Sequence, residues 1–314
     1  MTIDVHGHIS PPESMSPFPM PPSLRDVPGM IERKLAVGIE LTVVGSPVGA
    51  GAMVPVAGVD NYAQPTDRLR AFHDWLAGQV AAHPRHLRAL VYANPFGDDE
   101  HLACAAQTYR DGAFVGFVIN TSVAGRYLDD PAAGQFFAMA DELEAPVLLH
   151  APAQPAAGTG LTDHRLLEQL GRFCDVTIGV GCCVLGGWLE KFPGLRLVAT
   201  GAGGALALLA EKLDLIYAPP QWARGGGAPA APLPLSRPPS EYLRALWVDT
   251  ASPSARALRA NLEVFGADRI LLGTDSPPLV GMESPVLAAI DGLPVPEEDR
   301  RAIREGNAKR LFRL

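Results

Sequence analysis

The sequence lacks several features that mark other classes of protein. Its four cysteines form no CxxC pair, which excludes a zinc-finger pattern and predicts buried, reduced thiols rather than a disulfide framework. No apolar run is long enough to span a bilayer, and no basic segment followed by an apolar core opens the chain, so we expect neither a membrane span nor a signal peptide. A net charge of -8 without any basic stretch argues against nucleic acid as a partner. We therefore expect a cytoplasmic protein that binds a small-molecule substrate.

Short apolar runs, each followed by a stretch of helical periodicity, dominate what is present. They are runs rather than strict alternations, as expected of parallel strands covered on both faces. Eight such strands alternating with helices predict a (β/α)8 barrel, and a doubly wound sheet is less favoured because no GxGxxG turn follows the first strand. The predicted strands are 2–5, 41–44, 87–92, 114–119, 146–150, 195–199, 246–249 and 269–273, and the clearest predicted helices are 66–82, 131–143, 176–192, 206–217 and 253–265.

Length and composition favour one domain. The 314 residues, 47% hydrophobic, fit a single barrel-sized domain over residues 1–314 better than two small ones. Two proline-rich or glycine-rich segments interrupt it, at about residues 10–28 and 219–240. We expect the first to loop over the top of the barrel without regular structure. The second is either a flexible lid or a tolerated insertion.

Two histidines close the first predicted strand, in Asp4-Val5-His6-Gly7-His8. Side chains two apart in a strand point to the same side, so His6 and His8 can converge on one point. His150 ends the fifth predicted strand and Asp275 ends the eighth. Barrel enzymes build their sites at the carboxyl ends of the strands, so these residues predict the ligands of a divalent metal ion with an open position for water or substrate.

Several phrases resemble one enzyme family. The His-Gly-His pair, His150 and the segment FGADRILLGTDSP at 265–277 are similar to the amidohydrolase-2 branch of the amidohydrolase superfamily. The segments LEKFPGLRLV at 189–198 and NAKRLF at 307–312 also resemble that branch, so the resemblance covers almost the whole chain. The branch contains aminocarboxymuconate semialdehyde decarboxylase and γ-resorcylate decarboxylase.

The resemblance implies a distorted (β/α)8 barrel, one divalent metal ion at the carboxyl ends of the strands, and a homodimer. By position, His6, His8, His150 and Asp275 become the metal ligands, and Asp275 is also placed to exchange a proton with a bound water or with substrate. We expect zinc, with manganese as the alternative, because this ligand set accepts both.

One position departs from the family pattern. The family carries a histidine after the sixth strand that acts as a general acid or base, whereas this chain has Gly201 within Thr200-Gly201-Ala202-Gly203-Gly204. A histidine general base contributes about two to four powers of ten in rate. Either another residue supplies the proton, Asp275 does all of it, or the reaction differs. His164 is the main candidate for a replacement, and Thr200 and Cys182 are weaker ones.

Substrate contacts are less clearly marked. The glycine-rich turn at Gly201 either binds an anion through backbone N–H groups or lets strand and helix pack closely. Arg224 and Arg237 are candidates for pairing with a substrate carboxylate, with solvated loop charges as the alternative. Four further histidines lie in or after predicted helices, where we expect structural roles: His73, His83, His86 and His101.

The leading functional hypothesis is a metal-dependent lyase that decarboxylates a small aromatic or unsaturated carboxylic acid without oxidation. It rests on the family resemblance. Hydrolysis of an ester, lactone or amide by metal-activated water is a second hypothesis, weakened by the missing histidine. A third is metal-assisted cyclisation with loss of water, forming a heterocycle in natural-product biosynthesis. A barrel that binds metal without turnover is the non-enzyme alternative, against which the retained ligand positions argue.

Overall fold

Eight parallel strands form a barrel in chain order. The computed structural model describes residues 1–11, 22–45, 66–217, 233–252 and 254–314. All neighbouring strands pair in parallel. The Val5 N–H donates to the Leu272 carbonyl oxygen 2.8 Å away, which joins the first strand to the end of the last and confirms the predicted barrel. The strands are β1 Thr2–Gly7, β2 Ile39–Val44, β3 Leu87–Tyr92, β4 Phe114–Asn120, β5 Pro146–His150, β6 Arg196–Ala199, β7 Trp247–Asp249 and β8 Ile270–Leu271.

Helices separate the strands and cover the outside of the barrel. Within the described ranges, none of them combines the length and apolarity needed to cross a membrane. The longer α-helices are Val27–Ala36, Thr66–Ala82, Asp99–Arg110, Gly134–Glu142, Arg172–Leu185, Leu206–Tyr217, Ala255–Phe265 and Glu283–Asp291. Shorter ones are His164–Leu166, Trp188–Lys191, Pro239–Leu243, Glu297–Arg301 and Asn307–Phe312, with π-helical turns at Leu167–Gly171 and Ala302–Gly306. A two-stranded hairpin, Ser122–Val123 with Arg126–Tyr127, follows β4.

The barrel strands are buried on both faces, which explains why they appear in the sequence as continuous apolar runs. All residues of β5 are buried, as are those of β7. Phe117 of β4 and the helical residues Phe136 and Phe137 form T-shaped aromatic pairs with centroid distances of 5.6 to 5.8 Å. This packing fixes the strands, and therefore the positions of the side chains at their carboxyl ends.

The first interrupting segment was expected to have no regular structure through residue 28. This prediction is wrong for its last residues. A helix begins at Val27, because the Asp26 carboxylate accepts the Gly29 N–H at 3.0 Å and Pro28 is tolerated in a first turn. The helix predicted at 176–192 begins earlier, at Arg172, and breaks at Gly187, which has a φ of 77°. Most of both insertions lies outside the described residues, so the single-domain interpretation stays a prediction.

Candidate metal centre

The structure brings the predicted ligands from β1, β5 and β8 together at one mouth of the barrel. One ligand atom from each of His6, His8, His150 and Asp275 lies within 4.8 Å of every other. The Nε2 atoms of His6 and His8 are 3.1 Å apart, and the His8 Nε2 lies 3.0 Å from Asp275 Oδ1. All three histidines are buried.

In each imidazole, Nε2 faces the centre of the cluster and the other ring nitrogen, Nδ1, makes a hydrogen bond that holds the ring in place. The Nδ1 atoms of His8 and His150 lie 2.7 Å and 2.8 Å from the carbonyl oxygens of Gly45 and Ala151, to which they donate. The three rings stand nearly perpendicular to one another, with centroids 5.0 to 5.1 Å apart. A donating Nδ1 leaves the Nε2 lone pair to face the centre, which is how metal-binding histidines are oriented.

Asp249, at the end of β7, holds the third imidazole. Its Oδ2 lies 2.6 Å from His6 Nδ1, and its Oδ1 accepts the N–H groups of Ala202 and Ala251 at 2.9 and 3.0 Å. The side chain is fully buried. A carboxylate behind a ligating histidine fixes the ring and strengthens it as a ligand. Sequence reasoning missed this residue, although an aspartate ending a barrel strand is the same signal that identified Asp275.

Burial and charge set the protonation of the cluster. Burial lowers the pKa of His8 despite its hydrogen bond with Asp275. Burial and the neighbouring His8 and His6 hold the pKa of His150 well below its ordinary value. For His6, burial opposes the charged form, but the Asp275 and Asp249 carboxylates outweigh it and raise the pKa. Burial alone would raise the pKa of Asp275, yet the three histidines hold it below its usual range.

The donor set fits a divalent cation. Three imidazole nitrogens and one ionised carboxylate face a common centre, a combination that suits zinc, manganese or a related ion. Without a cation, the Nε2 atoms of His6 and His8, 3.1 Å apart, would direct two lone pairs at each other or share one proton. Asp275 itself has a φ of 55°, an uncommon conformation for a residue other than glycine that is often found at functional sites.

A buried ion pair supports this cluster from below. Lys34 and Asp4, both buried, form an ion pair, and Asp4 Oδ1 also accepts the N–H of Thr274 at 3.1 Å. The Thr274 hydroxyl donates to the same carboxylate. Because Asp4 lies two residues before His6 and Thr274 precedes Asp275, this network joins the two strands that carry most of the cluster.

The cluster opens into a cavity of about 500 Å³. Most of the lining away from the cluster is apolar, including Leu24, Phe173, Val176, Leu279 and Met282. Leu24 belongs to the chain after β1, as expected for a segment that loops over the mouth. A cavity of this size with one polar end is suited to a small molecule.

Gly201 lines this cavity at the end of β6, where the family pattern places a histidine. Its φ is 59°, and a Cβ built on it would meet nothing within 4 Å. The N–H groups of Ala202, Gly203 and Gly204 donate to protein atoms, so they are not directed at a ligand. A Cβ on Gly204 would lie 2.3 Å from Thr177 Oγ1, which supports close packing as the role of the other glycines.

The structure describes two of the three other candidates for proton transfer. Thr200 lines the cavity, but its hydroxyl donates to the Leu149 carbonyl at 2.8 Å. Cys182 is not among the cavity-lining residues, and burial raises the pKa of its thiol to about 12. His164 begins the short helix after β5, and its side chain lies outside what the structure describes. Its assignment therefore stays a prediction.

The remaining predicted residues divide between the surface and the core. Arg224 lies outside the described residues. Arg237 is 55% exposed, packs over the Tyr242 ring at 4.6 Å and does not line the cavity, which favours the alternative of a solvated loop charge over a contact with substrate. His73 and His101 accept backbone N–H groups from Tyr92 and Asn94, and burial lowers the pKa of His73 to about 4. Both contacts are structural.

Comparisons with known proteins identify one matching family and several relatives. The sequence model of the amidohydrolase family matches residues 3–314. A 2-amino-3-carboxymuconate-6-semialdehyde decarboxylase from Dictyostelium discoideum is 22% identical over 220 residues, covering 69% of this chain but only 59% of that protein. A γ-resorcylate decarboxylase from Polaromonas sp. JS666 is 27% identical over 274 residues, covering 82% of this chain and 80% of that one.

A solved structure supports the fold. A dihydroxybenzoic acid decarboxylase from Polaromonas sp. JS666, with bound manganese and the inhibitor 2-nitroresorcinol, superposes with a TM-score of 0.76. The two chains are 20% identical, and the superposition covers 100% of this chain and 97% of the other. At this identity the likeness shows a shared barrel and no more.

Proposed function

The chain belongs to the amidohydrolase family, and from that premise we propose that it catalyses the metal-dependent, non-oxidative decarboxylation of a small aromatic or unsaturated carboxylic acid. The observation that carries the proposal is the convergence of His6, His8, His150 and Asp275 at one end of a mostly apolar cavity. Two relatives that match across most of this chain are decarboxylases of such acids by name.

A divalent ion held by these four residues would polarise a substrate oxygen and stabilise negative charge that develops beside it. The protein supplies orientation and a dry environment. Asp249 and the two backbone carbonyls fix the imidazoles before substrate arrives, so no reorganisation is needed during the reaction. The apolar wall around Phe173, Leu279 and Met282 limits water at the carbon that loses its carboxyl group.

The proton balance centres on Asp275. Decarboxylation breaks the bond between the carboxyl carbon and its neighbour, releases carbon dioxide and requires one proton on the carbon left behind. The histidines around Asp275 hold its pKa low, so it begins the reaction as a carboxylate and takes up one proton from solvent or from a hydroxyl group of the substrate. It then returns that proton to the ring or chain carbon. No histidine at the Gly201 position shares this work.

The nature of the ion, the assembly and the location are also proposed. Zinc and manganese both suit the donor set, and the manganese bound in one structurally similar decarboxylase supports the second. We propose a cytoplasmic homodimer. Large aliphatic side chains stand exposed on the helices after β5 and β6, with Leu208 77% exposed, as expected of a surface that another subunit covers.

Carbon dioxide release tests the proposal. The purified protein, stripped with a chelator and reloaded with Mn²⁺ or Zn²⁺, is offered a panel of carboxyl-¹³C-labelled hydroxybenzoates and unsaturated dicarboxylic acids. We expect labelled carbon dioxide from at least one acid with the loaded protein and none with His150→Ala. Absence of labelled carbon dioxide across the panel with a metal-loaded wild type would overturn the proposal.

A second candidate function follows from the open space at Gly201. Intramolecular cyclisation with loss of water requires fewer proton carriers than hydrolysis, and the free volume beside Gly201 has room for a bulkier acyl substrate. Product analysis in ¹⁸O-labelled water separates the reactions. Hydrolysis incorporates the label, cyclisation releases unlabelled water, and decarboxylation removes one carboxyl carbon.

A further inference from the structure

The wall of the cavity formed by the chain after β5 differs from the rest of the lining. It contributes three polar side chains, Glu168, Gln169 and Arg172, beside the apolar Phe173 and Val176. Among the described residues that line the cavity, Arg172 is the only lysine or arginine, so it brings the one fixed positive charge. Arg237, a candidate for pairing with a substrate carboxylate, does not line this cavity. Within the part of the chain that the structure describes, a carboxylic acid in this cavity therefore meets one side-chain cation outside the metal centre.

Local backbone structure explains how this wall forms. A π-helical turn at Leu167–Gly171 runs directly into the helix Arg172–Leu185. The cavity-lining positions 168, 169, 172, 173 and 176 repeat at helical spacing and form one continuous face. π-Helical turns inside helices frequently occur at functional sites.

Arg172 is tied to the metal centre through one carbonyl group. Its Nη2 donates to the Ala151 carbonyl oxygen at 3.4 Å, and the same oxygen accepts His150 Nδ1 at 2.8 Å. Its Nη1 donates to Glu168 Oε2 at 2.9 Å. The guanidinium is thus held on the His150 side of the cavity, with its side chain only 18% exposed.

A guanidinium carries five N–H donors in a planar fork, and two of them are directed at protein oxygens within the described residues. The other three have no acceptor among the described residues, so they can bind a ligand in the cavity. Arginine binds carboxylates through paired, charge-assisted hydrogen bonds, which are about twice as strong as neutral ones. In this partly buried position such bonds are screened less by water and salt.

We propose that Arg172 is a substrate-binding residue that recognises a second anionic group, so that the preferred substrates are aromatic acids bearing a further carboxylate or ionised hydroxyl. The inference rests on the proposed function, since it assigns the first carboxylate to the metal centre. Glu168 orients the guanidinium and competes with the ligand for it. Removing Glu168 or Arg172 therefore has opposite effects on binding of a dianion.

The test compares isophthalate, which carries two carboxylates, with benzoate, which carries one. Calorimetry on the Mn²⁺-loaded full chain measures both dissociation constants, and their ratio is the readout. We expect the wild type to favour isophthalate on the order of 10-fold. Arg172→Gln removes the preference and leaves benzoate binding within about twofold of wild type. Arg172→Lys keeps a smaller preference, and Glu168→Gln increases it.

Arg165→Gln is the matched control, because Arg165 lies on the same segment, pairs with Asp163 and is 88% exposed. It should keep the wild-type ratio. The proposal is overturned if wild type shows no preference for isophthalate, including no binding of either acid. It is also overturned if Arg172→Gln keeps the preference, or if Glu168→Gln lowers it together with Arg172→Gln, as a purely structural pair would. Failure of the decarboxylase proposal is distinguishable, because it appears as absent carbon dioxide release while the isophthalate preference persists.

Discussion

The two sides of the cavity differ in how completely their polar groups are organised. On the side of β1, β5 and β8, every imidazole has an acceptor for Nδ1, and Asp275 lies between them as a carboxylate. On the side of β6, the Thr200 hydroxyl is already used and Gly201 leaves an open volume. The half of the site that would hold a metal is therefore complete, whereas the half that would share proton transfer is reduced. Metal binding and proton transfer are therefore separable, and we expect a variant on one side of the cavity to affect one of them without the other.

The largest effect is expected from removing one ligand. His150→Ala should weaken metal binding and reduce the metal content well below one ion per chain, because it removes one of the four ligands that converge on the centre. Elemental analysis after equilibration with Mn²⁺ and gel filtration measures it. His83→Ala, which alters a histidine remote from the cavity, should retain the metal. Full metal content in His150→Ala would remove β5 from the proposed centre.

The second largest effect is expected from the buried ion pair between Lys34 and Asp4, and it is an effect on the stability of the fold. Lys34→Met leaves the buried Asp4 carboxylate without its cationic partner, which should lower the free energy of unfolding by about 3 to 5 kcal/mol. Denaturant titration of the metal-free protein measures the difference. Lys212→Met, at an exposed helix position, provides the comparison and should leave stability unchanged. Equal stability of the two variants would show that the buried pair does not hold β1 and β8 together.

A smaller effect on metal binding is expected from changing Asp249, the carboxylate that holds His6. Asp249→Asn keeps the shape of the side chain but places an N–H where His6 Nδ1 needs an acceptor, so the ring loses its favoured tautomer. Metal affinity should fall about 10-fold to 100-fold. Competition with a fluorescent chelator measures the affinity, and Asp268→Asn, at an exposed aspartate, serves as the control. An unchanged affinity would mean that Asp249 only supports the backbone at Ala202 and Ala251.

The smallest effect should come from the opposite side. Gly201→Ala places a Cβ in open space at a positive φ, so it should cost about 1 kcal/mol of stability and leave metal affinity unchanged. Gly203→Ala has a similar φ, but its Cβ would lie 3.1 Å from Val248 Cγ1, so thermal denaturation should show a larger loss. A loss of metal in Gly201→Ala would contradict the separation of the two sides.

The sequence was sufficient to predict the barrel and the proximity of the four candidate metal ligands, for reasons that belong to particular residues. His6 and His8 lie two apart at a strand end, and His150 and Asp275 each end an apolar run, so the topology alone brings them together. Asp249 also ends an apolar run. An aspartate after a strand is so often a turn residue that this position alone does not identify it.

Other features of the site could not be predicted from sequence. Lys34 resembles any polar position of an amphipathic helix, and only the tertiary structure shows its pairing with Asp4. Arg172 was missed because the helix was expected to begin at residue 176, and no local pattern marks the π-helical turn before it. For Arg237 the sequence left a substrate contact and a solvated loop charge open, and its position beside Tyr242 and Glu241, outside the cavity lining, favours the solvated charge.

The central claim is that His6, His8, His150 and Asp275 hold one divalent ion at the polar end of the cavity. An anomalous difference map from crystals grown with Mn²⁺ tests it most directly. We predict one strong peak per chain, located between the three histidine Nε2 atoms and one Asp275 oxygen. A peak coordinated by other residues, or no peak at this position at saturating Mn²⁺, would contradict the account.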